Sequence, residues 1–169
     1  MVARPARRCY PGGMSIQRPA ILFVCLGNIC RSPLAEAAFR ARAEAAELVV
    51  TVDSAGTGDW HIGNPPDPRA QATAKRHGVD ISTYRARQIR IDDFDRFTHV
   101  FALDLENLAN LHRLAPADPG ASLSLLLDMV PGREGQPVAD PYFGEDEGFE
   151  ETWAEVDAAA KALVERLAR

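Results

Sequence analysis

Residues 20–33 read Ala-Ile-Leu-Phe-Val-Cys-Leu-Gly-Asn-Ile-Cys-Arg-Ser-Pro. The apolar run at residues 21–24 is typical of a short strand buried on both faces of a parallel sheet. Gly27 and Asn28 end the run, and Ser32-Pro33 suits the N-cap and first turn of a helix. The stretch therefore predicts a strand, a tight turn and a helix in direct succession.

The rest of the chain continues this alternation of strands and helices. Apolar runs predict further strands at residues 48–52, 97–103 and 124–127. Apolar residues at helical spacing predict helices at residues 34–46, 67–77, 105–114 and 149–167. The alternation indicates a single α/β domain over residues 20–169, with a four-stranded parallel twisted sheet flanked by helices on both faces. In such a sheet the ligand binds at the carboxyl ends of the strands.

Residues 1–19 lack this periodicity and are rich in Arg, Pro and Gly. We expect a flexible N-terminal leader there, before the domain. The segment has no apolar h-region and so does not resemble a signal peptide. Met14 lies within it and is an alternative start of the chain.

The composition excludes several classes of protein. The 169 residues are 46% hydrophobic, so the chain can bury a core without a disulfide scaffold. The formal net charge of −5 gives no general attraction to nucleic acid or to an anionic membrane, and the apolar runs are too short to span a bilayer. The three cysteines, at positions 9, 25 and 30, do not suit a disulfide framework, so we expect a reducing, cytoplasmic location.

Residues 25–32 form a motif suited to binding phosphate. A turn from a strand into a helix directs consecutive backbone N–H groups into one concavity at a helix N-terminus, which favours anions. Gly27 permits backbone conformations closed to other residues, and the guanidinium group of Arg31 can hold two phosphate oxygens at once. From the first position of this loop, the sulfur of Cys25 would reach the phosphorus.

The same field that attracts phosphate favours the thiolate, which is the reactive form of a cysteine. An ordinary thiol, with a pKa of about 8.5, is only a few per cent ionised at pH 7. Lowering such a pKa by ~3 units takes ~4 kcal/mol of preferential stabilisation. We expect the loop amides, the helix N-terminus, Arg31 and the Ser32 hydroxyl to supply it together.

The pattern of a cysteine, five residues, an arginine and a serine, with Leu-Gly-Asn-Ile-Cys in between, resembles the signature of the low-molecular-weight protein tyrosine phosphatases. The resemblance covers roughly residues 20–168, because further motifs occur in the family's order and approximate spacing. These motifs are Asp53-Ser-Ala-Gly56, Asp59-Trp60, Pro68-Arg69-Ala70, His77-Gly78, Ala86-Arg87-Gln88-Ile89 and Asp140-Pro141-Tyr142. A bare Cys-x5-Arg occurs in several phosphatase families, but its combination with a distant Asp-Pro-Tyr is specific.

The resemblance implies the roles of three catalytic residues. Cys25 is similar to the nucleophile that forms a phosphocysteine intermediate, and Arg31 is similar to the clamp on the oxygens of the transition state. Asp140 resembles the general acid that protonates the leaving phenolate and then the base that activates water. The implied activity is hydrolysis of phosphotyrosine and of small aryl phosphates.

The resemblance also implies a set of supporting residues. Ser32 is similar to the residue that hydrogen-bonds the thiolate, and Asn28 is similar to the residue that holds the loop's strained shape, with Ser54 as its partner. The other members of the phosphate-binding loop are Leu26, Gly27, Ile29 and Cys30. The implied aromatic walls around the phosphotyrosine ring are Tyr142 and Phe143 on one side and Trp60 on the other. A phosphoserine would not bring its phosphate to the floor of so deep a pocket.

The partners implied by the resemblance are few. We expect a phosphotyrosine-containing protein as substrate and inorganic phosphate as product and inhibitor, with no nucleic acid and no membrane. We expect no cofactor and no metal, because the thiolate and Arg31 replace metal activation. The four histidines, which lack the spacing of metal ligands, are His61, His77, His99 and His112.

One alternative stays open, and the sequence weighs against three others. Cys30 either packs in the core or pairs reversibly with Cys25 to protect it from over-oxidation, as in the family. Arsenate reductases share the fold and loop but use cysteines further downstream, and this chain has none after Cys30. Phosphoarginine phosphatases tend to carry Thr where Ile29 stands, which favours the tyrosine substrate. A non-catalytic phosphotyrosine-binding module would usually lack Cys25, Arg31 or Asp140.

Two positions depart from the family pattern. Tyr84 stands near where many relatives have His, which predicts a different local hydrogen bond. Phe143 replaces a residue that is often Tyr, which removes a hydroxyl group.

Overall fold

The computed structural model describes residues 7–9 and 15–169. The strands are β1 (Arg7–Cys9), β2 (Ser15–Gln17), β3 (Ala20–Cys25), β4 (Thr51–Gly56), β5 (His99–Ala102) and β6 (Ser122–Leu125). The helices are α1 (Arg31–Ala45), α2 (Pro68–Arg76), α3 (Asp93–Arg96), α4 (Leu105–Leu114) and α5 (Asp146–Leu167), and Leu126–Met129 forms a 3₁₀ turn. None of the helices in this part of the chain has both the length and the apolar character needed to cross a membrane.

The main sheet has four parallel strands in the order β4-β3-β5-β6, which confirms the predicted architecture. Strand β3 lies inside the sheet, and all its residues are buried. The chain leaves β3 toward β4 on one side and later returns to β5 on the other. The carboxyl end of β3 therefore lies where the strand order reverses, which is the usual ligand position in an open parallel sheet.

Helices cover both faces of the sheet, as the sequence predicts. Because side chains alternate along a strand, Ile21 and Phe23 pack in one apolar cluster, and Leu22 and Val24 pack in another. The first cluster contains residues of α1, α2 and α5. The second contains residues of α3 and α4, such as Leu111. This double-sided packing fixes β3, and with it the loop that follows.

The boundaries of two predicted strands are wrong. The strand predicted at residues 48–52 is β4 at Thr51–Gly56, because Leu48 and Val50 pack against the first apolar cluster beside the end of α1 instead of pairing in the sheet. The strand predicted at residues 124–127 is β6 at Ser122–Leu125. The structure also contains the short helix α3, which the sequence pattern did not predict.

The predicted leader lies mostly outside the described residues. Within residues 1–19, the structure describes the strands β1 and β2, which pair with each other in an antiparallel register. Residues 1–6 and 10–14, which include the alternative start Met14, are not described. The flexibility of the leader and the domain boundary at residue 20 stay predictions.

Candidate active site

The predicted phosphate-binding loop connects β3 to α1 at the carboxyl edge of the sheet. Cys25 is the last residue of β3, and Arg31 is the first residue of α1. Gly56 of β4 lies directly beneath the loop, where an added Cβ would stand 2.7 Å from the carbonyl oxygen of Leu26. Only glycine permits this close approach of the two backbones.

A cavity of about 230 Å³ opens above this loop. The residues that line it are Cys25, Leu26, Gly27, Ile29, Cys30, Arg31, Trp60, His61, Asp140, Tyr142 and Phe143. The structure thus brings together most of the predicted site residues. The other three, Asn28, Ser32 and Ser54, are buried behind the loop. His61, which the sequence analysis left without a role, also borders the cavity.

Cys25 lies at the floor of the cavity with only 3% of its surface exposed. Its Sγ is 3.0 Å from the hydroxyl oxygen of Ser32 and 3.3 Å from the backbone nitrogen of Asn28, which donates to it. The sulfur therefore faces a hydroxyl and a backbone N–H at the end of β3, just before α1 begins.

Asn28 has a φ of +58°, a left-handed conformation that few residues other than glycine adopt. Its amide makes three hydrogen bonds that compensate for this strain. Nδ2 donates to Ser32 Oγ at 2.8 Å and to Ser54 Oγ at 3.0 Å. Oδ1 accepts from the backbone N–H of Arg87 at 3.0 Å. Asn28 and Ser54 are thus in direct contact, and their role in holding the loop's shape stays a prediction.

Arg31 is held by a residue that the sequence analysis missed. Its Nη1 donates to Asp104 Oδ2 at 2.7 Å and to the carbonyl oxygen of Val138 at 3.1 Å, while Nη2 lies 3.5 Å from Asp140 Oδ2. Burial works to lower the pKa of Arg31, but the charges of Cys25 and Asp104 outweigh it and raise that pKa. Asp104 also caps α4 by accepting from Asn107 N at 2.7 Å. An aspartate between an apolar run and a helix is the one sequence signal that marks it.

Asp140 lies at the edge of the cavity, with 46% of its side chain exposed. Its Oδ1 accepts from the backbone N–H of Tyr142 at 3.1 Å. Arg69 of α2 fixes the same loop, because its guanidinium group donates to the carbonyl oxygens of Tyr142 and Gly144 at 3.0 and 3.1 Å. Asp140 is therefore positioned beside Arg31 while its carboxylate stays in contact with water.

Aromatic side chains form the rim of the cavity. Trp60 and Phe143 are highly exposed, at 69% and 93%, and Tyr142 is 41% exposed. The rings of Tyr142 and Phe143 meet edge to face at 4.9 Å. An apolar rim above a deeply buried sulfur suits a flat aromatic group that carries its phosphate at the far end.

Cys30 is the second buried thiol, and both Cys25 and Cys30 are unpaired. Burial, followed by the charges of Asp67 and Cys25, raises the pKa of the Cys30 thiol well above its ordinary value. It therefore keeps its proton and does not compete as nucleophile. The reversible pairing of the two cysteines stays a prediction. Across residues 7–9 and 15–169, no three His, Cys, Asp or Glu side chains are grouped so that they would hold a metal ion.

Comparison with known proteins identifies similar chains. The family model described as low molecular weight phosphotyrosine protein phosphatase matches residues 20–169. A low molecular weight protein-tyrosine-phosphatase of Streptomyces coelicolor is 46% identical over 149 residues, which cover 85% of this chain and 90% of that protein.

Solved structures agree with this similarity. The crystal structure of YfkJ from Bacillus subtilis has a TM-score of 0.83 and 38% identity, and it covers 89% of this chain and 95% of its own. The crystal structure of a drosophila arginine phosphatase has a TM-score of 0.82 and 32% identity, with 86% and 96% of the two chains covered. This chain is therefore similar both to a protein named a tyrosine phosphatase and to one named an arginine phosphatase.

Proposed function

The chain belongs to the low molecular weight phosphotyrosine protein phosphatase family, and on this premise we propose that it hydrolyses phosphotyrosine through a phosphocysteine intermediate on Cys25. Phosphatase activity follows from the family, and the relative from Streptomyces coelicolor is named a protein-tyrosine-phosphatase. The observation that carries the mechanism is the position of the Cys25 sulfur. It lies at the floor of the cavity, 3.0 Å from Ser32 Oγ, with Arg31 and Asp140 beside it.

Phosphate binding is assigned to the loop of residues 25–31 and the start of α1. The backbone N–H groups of the loop and the helix N-terminus favour a dianion. Arg31 completes the site by giving donors to two phosphoryl oxygens, with its position held by Asp104. Inorganic phosphate, which makes the same contacts, is the proposed product and a competitive inhibitor.

In the first step the Cys25 thiolate attacks phosphorus. The S–P bond forms while the bond from phosphorus to the phenolic oxygen breaks, and Asp140 gives its proton to the leaving phenolate. The position of Asp140 near Arg31 and at the water-exposed edge supports this role.

In the second step water attacks the phosphocysteine. Asp140, now a carboxylate, accepts a proton from that water, the S–P bond breaks, and phosphate leaves. The hydroxyl of Ser32 stabilises the departing thiolate, as its 3.0 Å contact with Cys25 Sγ supports. No redox change and no cofactor enter either step.

Selectivity for phosphotyrosine is assigned to the depth of the cavity above Cys25 and to its aromatic rim. Exposure rises from 3% at Cys25 to 69% at Trp60 and 93% at Phe143, so a substrate must reach from the rim to the floor. A tyrosyl group has this reach, and its ring can stack on the rim. A seryl group is shorter and has no ring. Ile29, rather than Thr, lines the cavity and favours the tyrosyl substrate over phosphoarginine.

We further propose that the chain acts in a reducing, cytoplasmic compartment on phosphotyrosine-containing proteins. The free thiols of Cys25 and Cys30 support this location, because the nucleophile must stay reduced. We expect neither nucleic acid nor a membrane to be a partner, since the net charge is −5.

Hydrolysis of p-nitrophenyl phosphate without added metal tests the proposal. We expect turnover by the wild type, none by Cys25→Ser, and a reduction of about 10²–10⁴-fold in Asp140→Ala, as is typical when general acid–base catalysis is lost. Three peptides that differ only in carrying phosphotyrosine, phosphoserine or phosphoarginine test the substrate. A wild type that binds vanadate but hydrolyses nothing is instead a binding module. Preference for phosphoarginine would overturn the substrate alone.

A further inference from the structure

We propose that a second groove beside the catalytic cavity binds an acidic side chain that flanks the phosphotyrosine of the substrate, and that Arg113 of α4 selects it. The groove has a volume of about 260 Å³ and shares two lining residues, Leu26 and Trp60, with the cavity above Cys25. A peptide whose phosphotyrosine fills the cavity can therefore continue past Trp60 into the groove. The inference rests on the proposed function and specifies the class of phosphotyrosine substrate.

Trp60 separates the groove from the cavity. Its ring packs against the backbone at Gly58, where an added Cβ would overlap the ring atoms. Glycine at this position thus lets the exposed indole approach the chain closely. The same aromatic residue borders the space proposed for the phosphotyrosine ring and the space proposed for its neighbour in the substrate.

Residues 57 and 58 line one side of the groove and are fixed to the phosphate-binding loop. Thr57 N donates to the carbonyl oxygen of Cys25, and Gly58 N donates to that of Leu26, both at 2.9 Å. Gln88 Nε2 donates to the carbonyl oxygen of Thr57 at 3.2 Å and holds the same segment. The groove therefore keeps a fixed position relative to the catalytic sulfur, as the recognition of one substrate position requires.

Helix α4 forms the other side of the groove. Asn110, Arg113 and Leu114 are three and four positions apart, so they share one face of the helix, and this face lines the groove. Leu111 is fully buried in the core instead. Leu114 is 44% exposed, so the groove offers an apolar contact together with the charge of Arg113. This combination suits glutamate, which has an apolar stem and a terminal carboxylate.

The charge of Arg113 is available to a substrate. Its guanidinium group donates to Asn110 Oδ1, which is a neutral acceptor, and in the described part of the chain no carboxylate lies within ion-pairing distance of it. None of the residues that line the groove is Asp or Glu. Because a chain with a net charge of −5 repels acidic substrates in general, a preference for them needs such a local cation. A guanidinium group can hold a carboxylate through two parallel hydrogen bonds.

The groove lies within reach of residues close to the phosphotyrosine in sequence. An extended peptide advances by about 3.3–3.6 Å per residue, so three residues cover about 10 Å. Because the cavity and the groove share the Trp60 wall, we expect the acidic residue within three positions of the phosphotyrosine. A scan of both flanks identifies the position.

Peptides in which three alanines flank phosphotyrosine on each side test the inference. In six pairs of peptides one alanine is replaced by Glu or by Gln, and kcat/KM is measured for each. The ratio of the Glu value to the Gln value isolates the charge, since the two side chains have the same length. We expect a ratio of about twofold to fivefold at one or two adjacent positions, the factor carried by one exposed ion pair. Salt at about 0.5 M should bring the ratio toward one.

Variants of Arg113 assign the preference to this residue. Arg113→Gln should lower the ratio to one, and Arg113→Lys, which keeps the charge but not the planar fork, should retain part of it. The matched control is Arg166→Gln, which removes the same charge from the last turn of α5, where Arg166 donates to Met129 Sδ at 3.7 Å. It should keep the wild-type ratio. A merely structural role of Arg113 would change kcat/KM for all the peptides alike and leave the ratio as it is.

Three results would overturn the inference. These are a Glu-to-Gln ratio of one at all six positions, a ratio that persists in Arg113→Gln, and an equal loss of the ratio in Arg166→Gln. The dissociation constants of the same peptides with Cys25→Ser separate the inference from the proposed function, because binding does not need turnover. A wild type that hydrolyses no peptide defeats the proposed function, whereas a Glu preference in binding that depends on Arg113 still supports the groove. Turnover without that preference defeats this inference alone.

Discussion

Replacement of Asn28 should separate two effects on the stability of the phosphate-binding loop: the hydrogen bonds of the Asn28 amide and the strain of its left-handed backbone. Asn28 is 3% exposed and makes three amide hydrogen bonds of 2.8, 3.0 and 3.0 Å. At ~1 kcal/mol each, their loss should cost about 3 kcal/mol in the free energy of unfolding. Both Asn28→Gly and Asn28→Ala lose all three bonds.

The two variants differ in backbone strain. At a φ of +58°, alanine carries a penalty of about 1–2 kcal/mol that glycine does not. Glycine in turn loses about 0.5–1 kcal/mol more chain entropy on folding. Asn28→Ala should therefore be about 1 kcal/mol less stable than Asn28→Gly, and both should stay folded if the wild type has an ordinary stability of about 5–15 kcal/mol.

Urea unfolding of the three proteins at one pH gives these differences directly. Both variants should also have a raised KM for p-nitrophenyl phosphate, because the loop amides lose their alignment. An Asn28→Ala protein more stable than Asn28→Gly would refute the strain argument. Two variants within about 0.5 kcal/mol of the wild type would refute the hydrogen-bond argument.

Three further predictions concern the edge of the cavity and its second thiol. Arg69→Gln should free the loop that carries Asp140, so kcat/KM, which reports phosphoryl transfer to Cys25, should fall several-fold for phenyl phosphate. It should fall much less for p-nitrophenyl phosphate, whose leaving group needs less protonation; equal losses would contradict this. Trp60→Ala and Phe143→Ala should each lower kcat/KM for a phosphotyrosine peptide by about twofold to tenfold, the value of a ring contact, with stability changed by less than about 0.5 kcal/mol. Thermal unfolding and peptide kinetics check both, and a large loss of stability would indicate a core role instead. Because burial raises the pKa of Cys30 in the folded protein, the unfolded chain loses this proton first above about pH 8.5, and stability should fall as pH rises through that range. As pH rises, the urea midpoint should fall less steeply in Cys30→Ala than in the wild type. Identical slopes would contradict the raised pKa of Cys30 in the folded protein.

Local sequence was sufficient for the loop and the central strand. The run at residues 21–24, followed by glycine, asparagine and Ser32-Pro33, specifies a strand, a turn and a helix within one segment, and each feature is visible without tertiary information. The position of β4 could not be predicted from local sequence in the same way. Leu48 and Val50 have the apolar character of strand residues, but they pack beside α1, and this depends on where α1 ends.

The groups that support the catalytic residues were harder to predict, because they come from distant parts of the chain. Asp104 is 73 positions from Arg31, and Arg69 is 73 positions from Tyr142. In the sequence, each is an ordinary charged residue near the start of a helix. Only the folded sheet brings these partners into contact.

Direct detection of the phosphorylated cysteine tests the proposed phosphocysteine intermediate. Asp140→Ala should still be phosphorylated by p-nitrophenyl phosphate, whose leaving group departs without an acid, but should hydrolyse the intermediate slowly for want of a base. Acid quenching within the first turnover, followed by peptide mass spectrometry, should find one phosphoryl group on Cys25 and none in Cys25→Ser. A burst of p-nitrophenol with no phosphoryl group on Cys25, or with the group on another residue, would contradict covalent catalysis by Cys25.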